Sequence, residues 1–178
     1  MGTPHYPTPA TLIIGLLLRS SKQYENIKSE LIQHYGALKS ELPPFEFKWT
    51  SYYQKELGAK PWRAFLAFEN LVERTTIAET KLFTNKIEEE WSDEQGRTVN
   101  LDPGLITLGQ LFLASTKDQR QRVYLKKGIY LEPTLYFQNG EFHPFEWTYR
   151  DYQSVEYRKY FKKARNDLAE QLKERKLT

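Results

Sequence analysis

The residues of this chain that are most able to do chemistry are polar side chains placed beside apolar ones. Lys81, Asn85 and Glu88 are spaced by four and then three positions. On a helix they would therefore lie along one edge of its apolar stripe. A cation, an amide and a carboxylate there could point into a shared cleft. They could equally be surface residues that border the core, which is common for long charged side chains.

A second polar group lies on the predicted strand that follows this helix. Asn100 and Asp102 share one face of the strand because side chains alternate, and Leu101 lies on the other face. The segment Asp102-Pro103-Gly104 also fits a type II turn, with proline at its second place and glycine at its third. Asp102 would then accept a backbone hydrogen bond, so the sequence leaves a ligand role and a turn role open.

The second half of the chain adds further candidates. Lys117 and Arg122 flank a short turn and could bind an anion or be solvated. Glu132 alternates with tyrosines on a predicted strand and could be a tuned acid, a metal ligand or the partner of Arg122. Trp147 and Tyr149 belong to an aromatic segment that could stack on a ligand or anchor the last helix.

These ten residues predict one pocket that binds a small anionic metabolite or nucleotide. The predicted ligand-binding residues are Lys81, Asn85, Asn100, Lys117, Arg122, Trp147 and Tyr149. The predicted catalytic residues, if a carboxylate acts there as general base, are Glu88, Asp102 and Glu132. Whether the chain is an enzyme is left undecided by the sequence, and so is any cofactor.

Two other functions remain open at this stage. Residues 157–176 carry eight basic and three acidic side chains, so a basic last helix with exposed tyrosines could form a non-catalytic RNA- or protein-binding module. An aromatic surface could instead be the interface of an oligomeric structural protein, although no oligomeric state is predicted.

Composition excludes several kinds of site. The absence of cysteine removes thiolate nucleophiles and cysteine-based zinc sites. The three histidines have no ligand spacing, so no metal site is predicted. Gly104 and Gly109 have the spacing of a P-loop, but Gln110-Leu111 stands where a lysine and a hydroxyl residue are required. The net charge of +3 is also below that of a dedicated nucleic-acid binder.

The chain has one long apolar run, at residues 12–18, which is too short to span a bilayer. Lysine and arginine are absent before it, and no small-residue cleavage site follows. We therefore expect a cytoplasmic protein without a membrane partner.

Hydrophobic periodicity indicates an α+β fold that could position these residues. The first half reads as strand–helix–strand–strand–helix–strand, the βαββαβ order of a ferredoxin-like antiparallel sheet with two helices on one face. The predicted strands of this half are 11–19, 45–49, 62–71 and 97–102, and the helices are 20–35 and 76–91. Ser20 with Gln23 and Thr76 with Glu79 predict capping boxes at the two helix starts.

The second half is expected to extend this sheet with hairpin strands and a C-terminal helix. The predicted strands are 111–115, 122–125, 129–137 and 141–145, followed by a helix at 155–175. Asn139-Gly140 predicts a two-residue hairpin turn, and Pro133 predicts an edge strand or a bulge. We expect residues 1–10 to be a flexible lead-in and residues 11–178 to form a single domain.

Several segments distributed along the chain also carry a family resemblance. They are Thr50-Ser51-Tyr52-Tyr53 with Glu56 and Gly58, residues 81–88, residues 100–104, residues 113–117, Gly128-Ile129-Tyr130 with Glu132, and Trp147-Thr148-Tyr149 with Asp151-Tyr152. Through them the chain resembles an uncharacterised prokaryotic family, the domain of unknown function 4416, over about residues 11–161. The resemblance implies no activity, cofactor or partner. The chain departs from the family pattern at Leu57, Pro133 and Arg150.

Overall fold

The computed structural model of the protein describes residues 1–50 and 53–177. Ser51 and Tyr52 of the family-like segment lie outside the described residues. The helices are α1 Tyr24–Tyr35, α2 Gln54–Leu57, α3 Ile77–Glu90 and α4 Val155–Glu174. The strands are β1 Ala10–Leu18, β2 Leu38–Glu46, β3 Trp62–Val72, β4 Ser92–Asp93, β5 Gly96–Arg97, β6 Val99–Ile106, β7 Gln110–Ser115, β8 Val123–Lys126, β9 Ile129–Gln138 and β10 Glu141–Pro144.

The fold is α+β, as predicted, and is built on one antiparallel sheet. Its strands lie in the order β10-β9-β7-β6-β1-β3-β2, with β8 paired to β9 beside this path. All strand pairs of the sheet are antiparallel. The first half follows the predicted order of elements, while its ferredoxin-like character stays a prediction. The hairpin strands β7 to β10 extend the same sheet.

Helices cover both faces of the sheet, which explains why the central strand β1 is buried along its whole length. Leu12, Ile14 and Leu16 of β1 pack in one cluster with side chains of α1 and α3. Ile13 packs in a second cluster on the opposite face, together with the apolar side of α4. Full burial of such a side chain contributes about 1.5–3 kcal/mol, so the two layers hold β1 at the centre.

The prediction for the second strand was wrong in its bounds. A strand was expected after Pro43-Pro44, but β2 ends at Glu46 and runs through both prolines. Its register with β3 shifts between Leu42 and Phe45. Strand β2 is at the edge of the sheet, so one side of its backbone needs no hydrogen-bond partner. Proline lacks a backbone N–H group, and an edge strand with a bulge tolerates that loss.

The predicted turn at Asp102-Pro103-Gly104 is also wrong, because all three residues lie inside β6. They pair in register with β1, where Gly15 is opposite Asp102. Gly104 is required for a different reason. A Cβ on it would stand 2.4 Å from the carbonyl oxygen of Phe112, so only glycine lets β7 approach this closely.

Local signals at helix starts and hairpins had mixed outcomes. The capping box of Ser20 and Gln23 is formed and begins a short 3₁₀ turn that leads into α1. The capping box predicted at Thr76 is not formed, because a 3₁₀ turn precedes α3 and the Thr76 hydroxyl donates to the carbonyl of Glu73. At the predicted hairpin, Asn139 has a positive φ of 51°, as a two-residue turn between β9 and β10 requires.

Pro133 lies at a bulge, which is one of the two predicted alternatives. The register between β7 and β9 shifts there, so that Phe112 pairs with Pro133 and Leu111 with Leu135. The carbonyls of Pro133 and Thr134 accept hydrogen bonds from Trp147 Nε1 and the hydroxyl of Thr148. The segment before α4 thus supplies hydrogen-bond donors to the backbone of β9 where Pro133 interrupts its pairing with β7.

The N-terminal residues are partly attached to the rest of the protein. Strand β1 begins at Ala10, and the Arg74 side chain donates to the Thr8 carbonyl and hydroxyl, both at 2.9 Å. None of the described helices is both long and apolar enough to cross a membrane.

Candidate functional site

The candidate site is a cleft that opens where β6 and β7 separate. Residues 104–106 of β6 pair with residues 111–113 of β7. Beyond this short ladder, Asp102 still pairs with β1, whereas Ser115 pairs with β9. The opening holds a larger pocket of about 550 Å³ and a smaller one of about 130 Å³. Asp102, Ser115 and Lys117 line both, so the two pockets adjoin.

Helix α3 closes the floor of the smaller pocket by binding the free side of β6. Glu88 Oε1 accepts the backbone N–H of Leu101 at 2.8 Å, and Lys81 Nζ donates to the carbonyl of Leu101 at 2.8 Å. Lys81 and Glu88 also form an ion pair at 3.4 Å. They are seven positions apart, so α3 places them on one face, and together they replace the missing strand partner of Leu101.

Arg97 joins three elements at the other end of the smaller pocket. Its Nη1 donates to Glu88 Oε2 at 2.8 Å and to Asn100 Oδ1 at 3.0 Å. Its Nη2 donates to Glu56 Oε2 at 2.8 Å. Asn100 then donates from Nδ2 to Asp102 Oδ1 at 2.9 Å, which confirms that these two side chains share one face of β6. The chain of contacts links α2, α3 and β6.

A buried arginine stands at the inner end of the larger pocket. Arg63 is 2% exposed, and its Nη2 and Nη1 donate to Asp151 Oδ2 at 2.9 Å and Asp102 Oδ2 at 3.3 Å. The guanidinium also lies 5.3 Å from the ring centroids of Phe47 and Phe65. Two carboxylates and the faces of aromatic rings therefore replace the water that this cation has lost.

A glycine makes room for this arginine. Gly15 of β1 lies opposite Phe65 in the sheet. A Cβ at Gly15 would stand 3.0 Å from a ring carbon of Phe65 and 3.2 Å from both Arg63 Nη1 and the Tyr152 hydroxyl. Because these neighbours are themselves buried, they have little freedom to move away.

Burial and neighbouring charges shift the pKa values of Asp151 and Arg63 in opposite directions. Burial raises the pKa of Asp151 above its usual range, the charge of Arg63 lowers it, and the charge of Asp102 raises it again, with a net upward shift. For Arg63, burial alone would lower the pKa, but Asp151 and Asp102 reverse the effect and raise it. The arginine is therefore a fixed cation, and Asp151 is a carboxyl that takes up a proton more readily than usual.

Arg122 and Glu132 form a second buried ion pair on the opposite wall. Arg122 Nε donates to Glu132 Oε2 at 2.8 Å, and both side chains are at most 2% exposed. Arg122 Nη1 also donates to the Ser115 hydroxyl and the Lys117 carbonyl, and Nη2 donates to the Tyr149 hydroxyl at 2.9 Å. Since four of its N–H groups are engaged, Arg122 mainly positions the residues around it.

One carboxylate oxygen of Glu132 has no hydrogen-bond partner among the described residues. Its Oε2 accepts from Arg122 and from Gln121 Nε2 at 3.1 Å. Its Oε1 is buried and has no hydrogen-bond partner among the described residues. The hydroxyl of Tyr152, also buried on the larger pocket, lacks a partner within the same part of the chain. Buried polar groups are normally paired, so both atoms point to a missing partner.

The structure brings nine of the ten predicted residues to these two pockets. Glu132 and Arg122 line the larger one, and Asp102, Lys117 and Tyr149 line both. The smaller pocket is lined in addition by Lys81, Asn85, Glu88 and Asn100.

Trp147 does not belong to either pocket, so its predicted stacking role is not supported. Its indole N–H donates to the carbonyl of Pro133 at 2.8 Å, and its ring stacks on Phe145 with centroids 4.8 Å apart. These contacts hold the segment before α4 against the bulge in β9. This agrees with the other interpretation of Trp147, as an anchor.

Sequence reasoning missed several lining residues, chiefly Arg63, Arg97, Asp151 and Tyr152. A signal existed for Arg63, because it is the one charged residue in the apolar run from Trp62 to Phe68. An arginine inside a buried strand must have a counter-charge close to it. Its partner Asp151 is 88 positions away in the chain, and no local pattern indicates which carboxylate that would be.

Within the described residues, no group of three or more histidine, aspartate or glutamate side chains could hold a metal ion. The carboxylates of the cleft are instead each paired with an arginine or lysine, as Glu132 is with Arg122 and Asp151 with Arg63.

The fold and the cleft define an α+β protein with a polar, two-part pocket in a split antiparallel sheet. The chain belongs to the family described as a domain of unknown function, DUF4416, whose model matches residues 8–168. Neither the curated proteins nor the solved structures contain a match to this chain.

Proposed function

We propose that this chain binds a small anionic metabolite or nucleotide in the cleft between β6 and β7. The supporting observation is the convergence of charged side chains from distant parts of the chain on two adjoining pockets. The basic ones are Arg63, Lys81, Arg97, Lys117, Arg122 and Arg150, and the acidic ones are Glu88, Asp102, Glu132 and Asp151. An excess of positive charge inside a concave, partly buried site favours an anionic ligand, because the protein walls focus its field.

The dimensions of the cleft agree with a ligand of this size. The larger pocket, at about 550 Å³, falls within the range of roughly 300–1,000 Å³ that is common for small-molecule sites. Leu113 and Ala114 supply apolar surface, and polar groups surround it. Such a combination is typical of sites that bury a small molecule and orient it with a few hydrogen bonds. The cytoplasmic location predicted from the sequence is part of the same proposal.

Of the three predicted catalytic carboxylates, Asp102 and Glu132 are the candidates for proton transfer in this cleft. A general base must lie within hydrogen-bond reach of the proton that it takes. Both oxygens of Glu88 are engaged by Leu101, Lys81 and Arg97, so its contacts support a structural role. Asp102 is 26% exposed on its side chain and lines both pockets.

The alternative of an RNA- or protein-binding module has less support from the contacts of α4. Lys162 pairs with Glu141 at 2.7 Å, and Lys163 pairs with Asp167 at 3.0 Å. Arg165 donates to the carbonyl of Leu108. Several basic side chains of this helix are thus engaged within the protein, and the positive charge that they offer to a phosphate backbone is reduced.

A ligand screen with a matched pair of lysine variants tests the proposal. We expect at least one anion among inorganic phosphate, sugar phosphates and nucleotides to raise the melting temperature. A ligand at about 100 times its Kd adds roughly 2.7 kcal/mol, or about 5–11 °C for a chain of this size. Lys117→Ala should weaken binding about tenfold, whereas Lys39→Ala, an exposed lysine on β2 outside both pockets, should not.

Two results would contradict the proposal. One is the absence of any thermal shift or calorimetric signal with all these anions. The other is an equal effect of the two lysine variants on affinity. A response to short RNA alone would instead support the module that uses α4.

A further inference from the structure

The unpartnered carboxylate oxygen of Glu132 limits which ligand groups the larger pocket can bind. Glu132 is 1% exposed, and its Oε2 is held by Arg122 Nε and Gln121 Nε2. This leaves Oε1 buried without a partner among the described residues, in a side chain that lines the larger pocket. A carboxylate oxygen only accepts hydrogen bonds, so the matching ligand atom carries an N–H or O–H group.

Aromatic side chains determine the shape of the same pocket. Phe47, Trp49 and Tyr53 line it from one part of the chain, and Tyr149 and Tyr152 line it from the segment before α4. Trp49 is 43% exposed, so an indole ring stands at the pocket without being packed into the core. Rings of this kind bind flat ligand groups by stacking, whatever the exact ring.

The smaller pocket has a different chemistry. Its charged lining consists of Lys81, Arg97 and Lys117 with Glu88 and Asp102, and Asn85 and Asn100 add amide groups. It joins the larger pocket through Tyr53, Asp102, Ser115, Lys117 and Tyr149. A ligand that fills both pockets therefore needs a flat ring with a hydrogen-bond donor at one end and a compact anionic group at the other.

We propose that the ligand is a nucleoside phosphate, with its base in the larger pocket, a base N–H donated to Glu132 Oε1, and its phosphate in the smaller pocket. This inference rests on the proposed function and adds the class of ligand and the residue that recognises it. The ring stacks on the aromatic side chains, and the Tyr152 hydroxyl is a second polar contact for the base. Arg122 acts as a positioning residue, because its N–H groups are engaged by Glu132, Ser115, Lys117 and Tyr149.

The variant Glu132→Gln tests the recognition of the base. Because Arg122 and Gln121 both donate to Oε2, the glutamine carbonyl oxygen takes that place and its NH₂ group replaces Oε1. An acceptor thus becomes a donor at the same position. In calorimetric titrations we expect at least a 30-fold loss of affinity for the best-binding nucleoside monophosphate, and less than a twofold change for ribose 5-phosphate. Glu146→Gln, an exposed residue outside both pockets, is the matched control.

A second variant keeps the test independent of folding defects. Tyr152→Phe removes a hydroxyl that has no partner within the described residues, so the melting temperature of the free protein should stay the same or rise. Its affinity for the nucleotide should nevertheless fall about threefold to tenfold, while ribose 5-phosphate binds as before.

The outcomes separate this inference from the proposed function. If ribose 5-phosphate or inorganic phosphate binds as tightly as any nucleotide, the nucleoside class is overturned and anion binding stands. If Glu132→Gln and Tyr152→Phe both bind the nucleotide like the unaltered protein, the assigned recognition by Glu132 is overturned. If no anion binds at all, both proposals fail together.

Discussion

Replacing Arg63 with methionine is expected to lower the free energy of unfolding by about 3–5 kcal/mol at neutral pH. This is the usual cost of removing one partner of a buried ion pair. Arg63 is 2% exposed, and the side chain of its closer partner Asp151 is 8% exposed. The substitution would leave this carboxylate buried without a cation. Asp102, the other partner, is 26% exposed, so water can replace its contact at small cost.

The loss of stability should also depend on pH. Burial raises the pKa of Asp151, and Arg63 holds it down in part, so the pKa rises further in the Arg63→Met variant. A carboxyl with a higher pKa in the folded state binds more protons when folded. Its contribution to stability therefore falls as the pH rises from the unfolded pKa through the folded one. We expect the variant to be closer to the unaltered protein at about pH 5 than at about pH 8.

Urea denaturation followed by tryptophan fluorescence measures both effects. At roughly 2–4 °C per kcal/mol, the melting temperature at neutral pH should fall by about 6–20 °C. Arg150→Met, at an exposed arginine on the same cleft, should change stability by less than about 0.5 kcal/mol. The double variant Arg63→Met with Asp151→Asn should be more stable than Arg63→Met alone, because it removes the stranded charge.

The reasoning is refuted if Arg63→Met is within about 1 kcal/mol of the unaltered protein at neutral pH, well below the expected cost of a stranded charge. A loss of stability that is equal at both pH values would refute the role given to Asp151. A double variant that is no more stable than the single one would do the same.

Two further substitutions test the framework that holds the cleft. Gly15→Ala should destabilise the fold by about 1–3 kcal/mol, because its Cβ would press on buried side chains. Gly109→Ala, with open space around its Cβ, is the control in the same denaturation assay. Glu88→Gln should cost about 1–3 kcal/mol and speed hydrogen exchange at the amide of Leu101. The exposed Glu90→Gln should do neither, and equal exchange in both variants would contradict this role of Glu88.

Features that depend on neighbouring residues could be predicted from the sequence. The spacing of Lys81 and Glu88 placed both on one edge of α3, and the structure has them side by side at Leu101. The Asn139-Gly140 turn was predicted correctly because its backbone needs a positive φ that few residues adopt. Such properties arise within a few residues, where helical period and turn chemistry act directly.

Features that depend on the sheet could not be predicted in this way. Asp102-Pro103-Gly104 has the composition of a turn, yet it is a strand in which glycine admits a close β7 and the proline lies next to the split. Local preference was overridden by pairing with β1 over the whole length of β6. Where β7 has diverged, side chains of α3 bind the opposite side of β6 at Leu101.

The sequence by itself therefore determined the α+β class, most of the helices and strands, and a set of polar residues that border the core. The tertiary structure decided that these residues form one cleft, because the divergence of β6 and β7 results from packing across the whole sheet. It also decided the partners of Arg63 and Glu132. Those pairings join residues far apart in the chain, and a buried charge is stabilised by whichever opposite charge the fold brings to it.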